Sequence, residues 1–419
     1  MIQYKRFTLD NGLRVLVHED QSSPMVTVNI CYYVGARDES PDRTGFAHLF
    51  EHLMFSGTQA APNFDEPLQM AGGENNAFTN NDITNYYNVV PAENLEVALW
   101  LESDRMQNMR FTEKKLDIQR KVVVEEFKET CLNEPYGDVW HHLADLAYKV
   151  HPYRWPTIGK VPEHVSEASL TDVQAFYNRF YQPNNAVLVV AGQVDFDNAK
   201  ALVEKWFAEI PTGAVIERIL PPEPPQRLLQ KRILHAQAPT DAIYLAFHIP
   251  SRVDRDFYAV DLLSDVLGNG PSSRLYQRLL KERELFSSID CYISGTIDPG
   301  LLIIEAKPVA GVSNQEARAA IWEELQLLKN EGLGTRELEK VKNKVESTLI
   351  FSELNVLNRA INLAFFEILG NAELINQEAK LYRRVSAAQL QQMAQWILVE
   401  ENCSEVYYEA EELEPSLAS

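Results

Sequence analysis

Gly45-Phe46-Ala47-His48-Leu49-Phe50-Glu51-His52-Leu53-Met54-Phe55 decides how this 419-residue chain is read. Its apolar residues fall at 46, 49, 50, 53 and 54, a helical spacing that predicts a largely buried amphipathic helix. Thr44 is the expected N-cap and Gly57 the stop just past the run. Four residues apart on such a helix, His48 and His52 project from one face, one turn above the other. Two neutral imidazoles so placed can share one zinc ion. Glu51 sits at the edge of that face, close enough to act on a water at the metal without ligating it. Incidental histidines fit this setting poorly, because burying them with a carboxylate and without a role costs free energy.

A catalytic zinc takes three protein ligands and leaves a fourth position open, so a third donor is required. Glu93 to Met109 reads as one helix, with Leu95, Leu99, Trp100 and Met106 on a stripe. A second runs from Glu113 to about Leu132, capped by Thr112. On it Gln119, Val122, Val123 and Glu126 share a face, while Glu125 and Glu129 share the adjacent one. The spacing leaves Glu125, Glu126 and Glu129 open as the third ligand.

Composition bounds the rest. The length predicts two or three domains, and 45% hydrophobic with 24% charged residues is that of a soluble globular protein. No apolar run spans a bilayer, and Met1-Ile2-Gln3-Tyr4-Lys5-Arg6 lacks a signal-peptide core, so no membrane insertion and a cytoplasmic location are expected. Cys31, Cys131, Cys291 and Cys403 are scattered and read as small buried hydrophobes. A net charge of −21 argues against nucleic acid and is compatible with steering basic peptides.

Ahead of the metal helix, 13–18 and 26–34 alternate as strands around the turn Asp10-Asn11-Gly12 and a Ser-Ser-Pro break. After it, Gly72-Gly73 opens a hairpin of 75–79 with 82–90. The polar, small-residue strand 75–79 suits a sheet edge, where an extended peptide could add as a further strand. Helices are expected at 136–150, 170–181 and 196–209, a loop at 156–164 and a buried strand at 186–192. His141 and His142 are adjacent, point in different directions, and are structural. The proline-rich stretch 213–228 reads as a linker between domains 1–212 and 229–419. Beyond it the pattern restarts: a strand at 242–248, a helix at 258–267 where the metal helix stood, strands at 288–295 and 301–308. Helices at 314–330, 335–349, 354–369 and 386–398 and a strand at 404–409 complete a degenerate duplication. The second copy has no histidine at 259–265, and the acidic tail 409–419 is expected to fray.

Taken together, these features resemble the pitrilysin/insulysin superfamily of inverted zincins, whose H-x-x-E-H reverses H-E-x-x-H. The branch most resembled is the two-subunit one of mitochondrial processing peptidase and its bacterial relatives. The resemblance spans nearly the whole chain. It rests on the 45–55 run, Asn76-Ala77-Phe78-Thr79 with Thr84-Asn85-Tyr86-Tyr87, Trp100–Met106, Gln119–Glu126 and His151-Pro152-Tyr153. It implies an α+β fold of two homologous domains, each a mostly antiparallel sheet packed with helices, forming half of a clamshell. It implies one zinc per chain held by His48, His52 and Glu126, with Glu51 as general base. Peptide substrates would lie along the edge at Asn76, Ala77 and Phe78.

Two departures stand out. Gln119 occupies the position of a carboxylate that supports the third ligand in the family. Leu280 and Ser287 occupy the positions of an Arg and a Tyr that stabilise the oxyanion. The chain is therefore read as a zinc endopeptidase subunit completed by a homologous subunit without zinc. A homodimer, or a non-catalytic peptide-binding or scaffold homologue, is the alternative.

Overall fold

A computed structural model describes residues 1–411; of the expected acidic tail, 412–419 lies outside the described residues. In chain order the first half forms β1 (Lys5–Thr8), β2 (Arg14–Glu19), β3 (Met25–Tyr32), α1 (Phe46–Leu53), α2 (Asp65–Met70), β4 (Glu74–Thr79) and β5 (Thr84–Pro91). It continues with α3 (Leu95–Asn108), α4 (Glu113–Phe127), α5 (Val139–Ala147), α6 (Pro162–Ser166), α7 (Leu170–Phe180), β6 (Ala186–Gly192) and α8 (Phe196–Phe207). The second half gives β7 (Gln230–Ala236), β8 (Ala242–His248), α9 (Phe257–Leu267), β9 (Phe286–Ile293), β10 (Leu301–Pro308), α10 (Asn314–Glu331) and α11 (Thr335–Ser352). Then come α12 (Val356–Ile368), α13 (Leu374–Arg384), α14 (Ala387–Ile397) and β11 (Cys403–Ala410).

Helices α2 and α13 and strand β7 have no counterpart among the elements expected from periodicity, and α6 begins within the expected loop 156–164. Of these, α2, α6 and β7 lack a strong apolar signal, whereas α13 places Leu374, Ile375, Leu381 and Tyr382 at helical spacing. In β7, Gln-Lys-Arg-Ile-Leu-His-Ala alternates only between partly exposed and exposed residues, and its place is fixed by parallel pairing with β11.

The chain divides into two compact units. The first comprises 1–127, 155–220 and 349–378; the second comprises 128–154, 221–348 and, of the described residues, 379–411. One junction, Leu220/Pro221, falls within 213–228. The stretch 349–378, expected with the second repeat, belongs to the first unit, because α12 lies on the sheet formed by β2, β3 and β6. There Ala360, Leu363, Ala364 and Phe366 bury against Leu16, Val187 and Val189. An apolar stripe records that a helix must be covered, not by which sheet.

In the first unit the sheet order is β1-β2-β6-β3-β5-β4. Only β2 and β6 pair in parallel; the other ladders are antiparallel. The opposite face carries the main core, where Val15, Val17, Val26, Val28 and Ile30 meet Leu49, Phe50 and Leu53 of α1, Leu99 of α3 and Tyr177 of α7. Strand β4 is the outer strand, as its polar composition predicts, and α1 and α2 lie beside it.

The second unit repeats the plan with the order β7-β11-β8-β10-β9. Its core joins Leu143 and Leu146 of α5 to Tyr244, Ile303 and Val406. Helix α9 follows β8 as α1 follows β3, but presents no imidazole. The four cysteines are buried and none forms a disulfide among the described residues, and no helix among the described residues is long and apolar enough to cross a membrane.

A candidate metal centre on two helices

Helix α1 buries Phe46, Ala47, Leu49, Phe50 and Leu53. Its ring stacks fix the rotation of the helix: Phe50 lies on Phe176 at 4.8 Å and on Tyr181 at 5.2 Å. Tyr86 donates its hydroxyl to the Phe50 carbonyl at 3.3 Å. With that face committed to the core, His48, Glu51 and His52 turn to the partly exposed side.

The start of α1 differs from expectation. Gly45, at φ 84°, is the N-cap and makes no side-chain cap. Thr44 is turned away: its hydroxyl accepts from Lys160 N at 2.7 Å and is hydrogen-bonded to His164 Nδ1 at 2.8 Å. The orphaned helix amides are met instead by Glu39, whose carboxylate accepts from Gly45 N at 2.9 Å and Ala47 N at 2.8 Å. Burial pushes the Glu39 carboxyl up to about 8, against the pull of those two backbone bonds. Glu39 lies in a non-periodic segment, so nothing in the sequence marked it as the cap.

Helix α4 opens on Thr112, whose hydroxyl accepts from Lys115 N. It ends at Phe127, passing into a π-helical turn over Lys128–Asn133, so the expected helix changes pitch before Leu132. Val123 and Phe127 are buried, and this phase turns Glu126 towards α1 while Glu125 and Glu129 are exposed. Of the three glutamates left open by spacing, the fold brings Glu126 to the histidines.

The ligand atoms of His48, His52 and Glu126 all lie within 4.8 Å of one another. His48 Nε2 is 3.3 Å from His52 Nε2 and 3.6 Å from Glu126 Oε1, and His52 Nε2 is 3.4 Å from Glu126 Oε2. Tetrahedral zinc with bonds of about 2.0–2.2 Å holds its ligands about 3.3–3.6 Å apart, the spacing at which the two imidazole nitrogens stand and at which each meets a Glu126 oxygen. The protonation states fit too. Burial lowers the His48 pKa, opposed by the Glu126 charge. The hydrogen bond with His52 lowers that of Glu126. Neutral imidazole and ionised carboxylate are the forms that ligate.

Glu51 is partly exposed and accepts no hydrogen bond among the described residues; its charge reaches His48. Gln119 is placed two turns before Glu126 and makes no hydrogen bond to the cluster, while His48 Nδ1 is buried without a partner. Asn76 is exposed on β4, with Ala77 and Phe78 half-buried, and Asn76 Oδ1 accepts from Ala77 N at 2.8 Å. In the second unit Leu280 lies in a π-helical turn, and Ser287 is the second residue of β9, donating to Lys307 O at 3.1 Å. Arg274 is held by Glu337 at 2.7 Å and by the Gly332 carbonyl, and His142 by Asp138 at 2.9 Å. Both are structural.

Comparison with known proteins accords with this division. Residues 14–160 match the family described as Insulinase (Peptidase family M16), and residues 167–345 match the Peptidase M16 inactive domain. The three clustered residues fall in the first match and α9 in the second. The chain is 29% identical over 348 residues to the zinc protease PqqE of Helicobacter pylori, covering 81% of this chain and 78% of the relative. It is 31% identical over 360 residues to an uncharacterized zinc protease of Mycobacterium leprae, covering 82% and 78%. The crystal structure of a protease from Helicobacter pylori superposes with a TM-score of 0.92 at 25% identity, covering 98% of this chain and 100% of that one. The chain belongs to the M16 peptidase family.

Proposed function

We propose that this chain is the zinc-bearing catalytic subunit of a two-subunit endopeptidase that cleaves unfolded peptides. The observation that carries the reading is the convergence of two imidazoles and a carboxylate from two helices, with His48 Nε2 and His52 Nε2 3.3 Å apart and each within 3.6 Å of a Glu126 oxygen. Zinc bound there supplies a Lewis acid that polarises the scissile carbonyl and acidifies a water. His48 and His52 would hold the ion through Nε2, and Glu126 would add the anionic donor. A carboxylate oxygen of Glu51, one residue from His52, takes the proton of the attacking water and returns it to the leaving amine nitrogen. The outer strand β4 receives the substrate as an added strand at Asn76, Ala77 and Phe78, giving main-chain affinity with little sequence preference.

Leu280 and Ser287 offer no charge or phenol to an oxyanion, which supports a homologous partner as the source of those groups. The same residues favour the second reading, a non-catalytic peptide-binding homologue. The test is chelator-sensitive cleavage of an unstructured basic peptide by zinc-loaded chain, alone and with a homologous second subunit. Glu51→Gln is expected to keep stoichiometric zinc and abolish cleavage. Retained turnover in that variant overturns the role of Glu51, and zinc-loaded chain inert under both conditions favours the non-catalytic reading.

A further inference from the structure

The turn that supplies Glu39 also holds the other half of the proposed site. Ala36–Asp38 is a single 3-10 turn, and Glu39 follows it directly. On one side Glu39 accepts the first amides of α1. On the other, Ala36 N donates to Asn80 O at 3.1 Å and Arg37 N to Asn81 O at 3.0 Å. Those carbonyls belong to the loop that joins β4 to β5. The Arg37 guanidinium pairs with Asp82 of that loop at 3.0 Å, with both side chains buried. Gly35 lies so close that a Cβ there would meet Asn81 C at 2.4 Å and Asn80 O at 2.5 Å. The back of the turn is fixed as well, with Trp155 Nε1 donating to Ala36 O at 3.0 Å and Arg218 Nε to Asp38 Oδ1 at 2.8 Å.

We infer that Gly35–Glu39 is a positioning bracket, with Glu39 as its key residue, that sets the metal helix α1 at a fixed place relative to the outer strand β4. The inference rests on the proposed peptidase reading for its use: the bracket fixes the separation between the residues that hold the ion and the strand that holds the peptide. Glu39 touches neither. A carboxylate that spans two helix amides ties α1 to the turn, while three backbone or ionic links tie the turn to the hairpin. A displacement of about 1 Å between reacting groups is enough to cost about 100-fold in rate.

The experiment uses the full chain carrying Glu39→Ala, Glu39→Gln or Gly35→Ala. Zinc affinity is measured by competition with a chromophoric chelator, and backbone exchange at Ala36 and Arg37 by mass spectrometry. Glu39→Ala is expected to weaken zinc by about 10-fold or more and to speed exchange at both amides. Glu39→Gln keeps one acceptor oxygen and is expected to fall between wild type and Glu39→Ala, which also covers the case in which Glu39→Ala does not fold. Gly35→Ala acts from the hairpin end with Glu39 intact and is expected to weaken zinc in the same direction. In turnover, kcat should fall with KM nearly unchanged. Wild-type zinc affinity in Gly35→Ala, or in both Glu39 variants, overturns the bracket; so does weakened zinc in Glu39→Ala with exchange at Ala36 and Arg37 unaltered, which reduces Glu39 to a local cap. A wild-type chain that binds zinc and cleaves nothing, with or without a second subunit, defeats the peptidase reading, while the affinity and exchange measurements still decide the bracket.

Discussion

Replacing Gly45 by alanine tests whether the metal helix starts where it does because of one backbone position. Gly45 has φ 84°, and a Cβ built there meets Ile158 O at 2.7 Å and Val165 Cγ2 at 2.9 Å. Forcing an L-residue into the left-handed region costs about 1–2 kcal/mol. The clash adds about 1–3 kcal/mol, because its partner is a backbone carbonyl in a packed interior and cannot swing aside. The sum is about 2–5 kcal/mol. For a unit of this size that is a fall of roughly 4–20 °C in the melting transition. Gly370 isolates the first contribution: it has φ 88° in the same unit, with nothing within 4 Å of a built Cβ. Gly370→Ala is therefore expected to lose only about 1–2 kcal/mol. Differential scanning calorimetry of both variants gives the comparison, read on the transition of the first unit because a two-unit chain need not melt as one. A Gly45→Ala loss no larger than that of Gly370→Ala refutes the close-approach argument.

Three further outcomes follow from other residues. Asn76→Ala frees the Ala77 amide that the Asn76 side chain now occupies; under the proposed function KM for an extended peptide should fall by a few fold, as a hydrogen bond of about 1 kcal/mol implies, and an unchanged or raised KM argues against strand addition at Ala77. His18 is held neutral in the fold: burial lowers its pKa below 6.5, its Nδ1 is 2.6 Å from the Gln3 carbonyl and its Nε2 is 2.7 Å from Arg359 Nη1. The unfolded chain therefore binds this proton more readily, so the stabilisation is present above pH 6.5 and is lost as pH falls through that value. His18→Asn should flatten the melting temperature between pH 7 and about 5, and an unaltered slope removes His18 as the source. Arg105 is fully buried, donates to Glu102 Oε1 at 2.8 Å and lies 3.9 Å over the Phe64 ring. Arg105→Ala strands the buried Glu102 and should cost about 3–5 kcal/mol in urea unfolding, more than the double change Glu102→Gln with Arg105→Met; equal losses contradict the ion-pair account.

The sequence by itself determined the elements that carry the chemistry. The spacing of His48, Glu51 and His52 on an apolar helix needs only 3.6-residue geometry to share a face. Polar strand composition placed 75–79 at an edge, and the lack of histidine at 259–265 marked the second repeat as metal-free. These are local signals, and local geometry suffices to read them. Motif position pointed to Glu126, but spacing alone left Glu125 and Glu129 open. Only the tertiary structure separates them, through the burial of Val123 and Phe127, which sets the phase of α4 against α1. Glu39 as the cap of α1, α12 on the first sheet, and His18 beneath Arg359 were likewise settled by packing. Each is a pairing across a loop or a long stretch of chain, chosen by which partner satisfies a buried amide, an apolar stripe or an imidazole nitrogen. The sequence states that such groups must be satisfied, and the folded chain alone decides by whom.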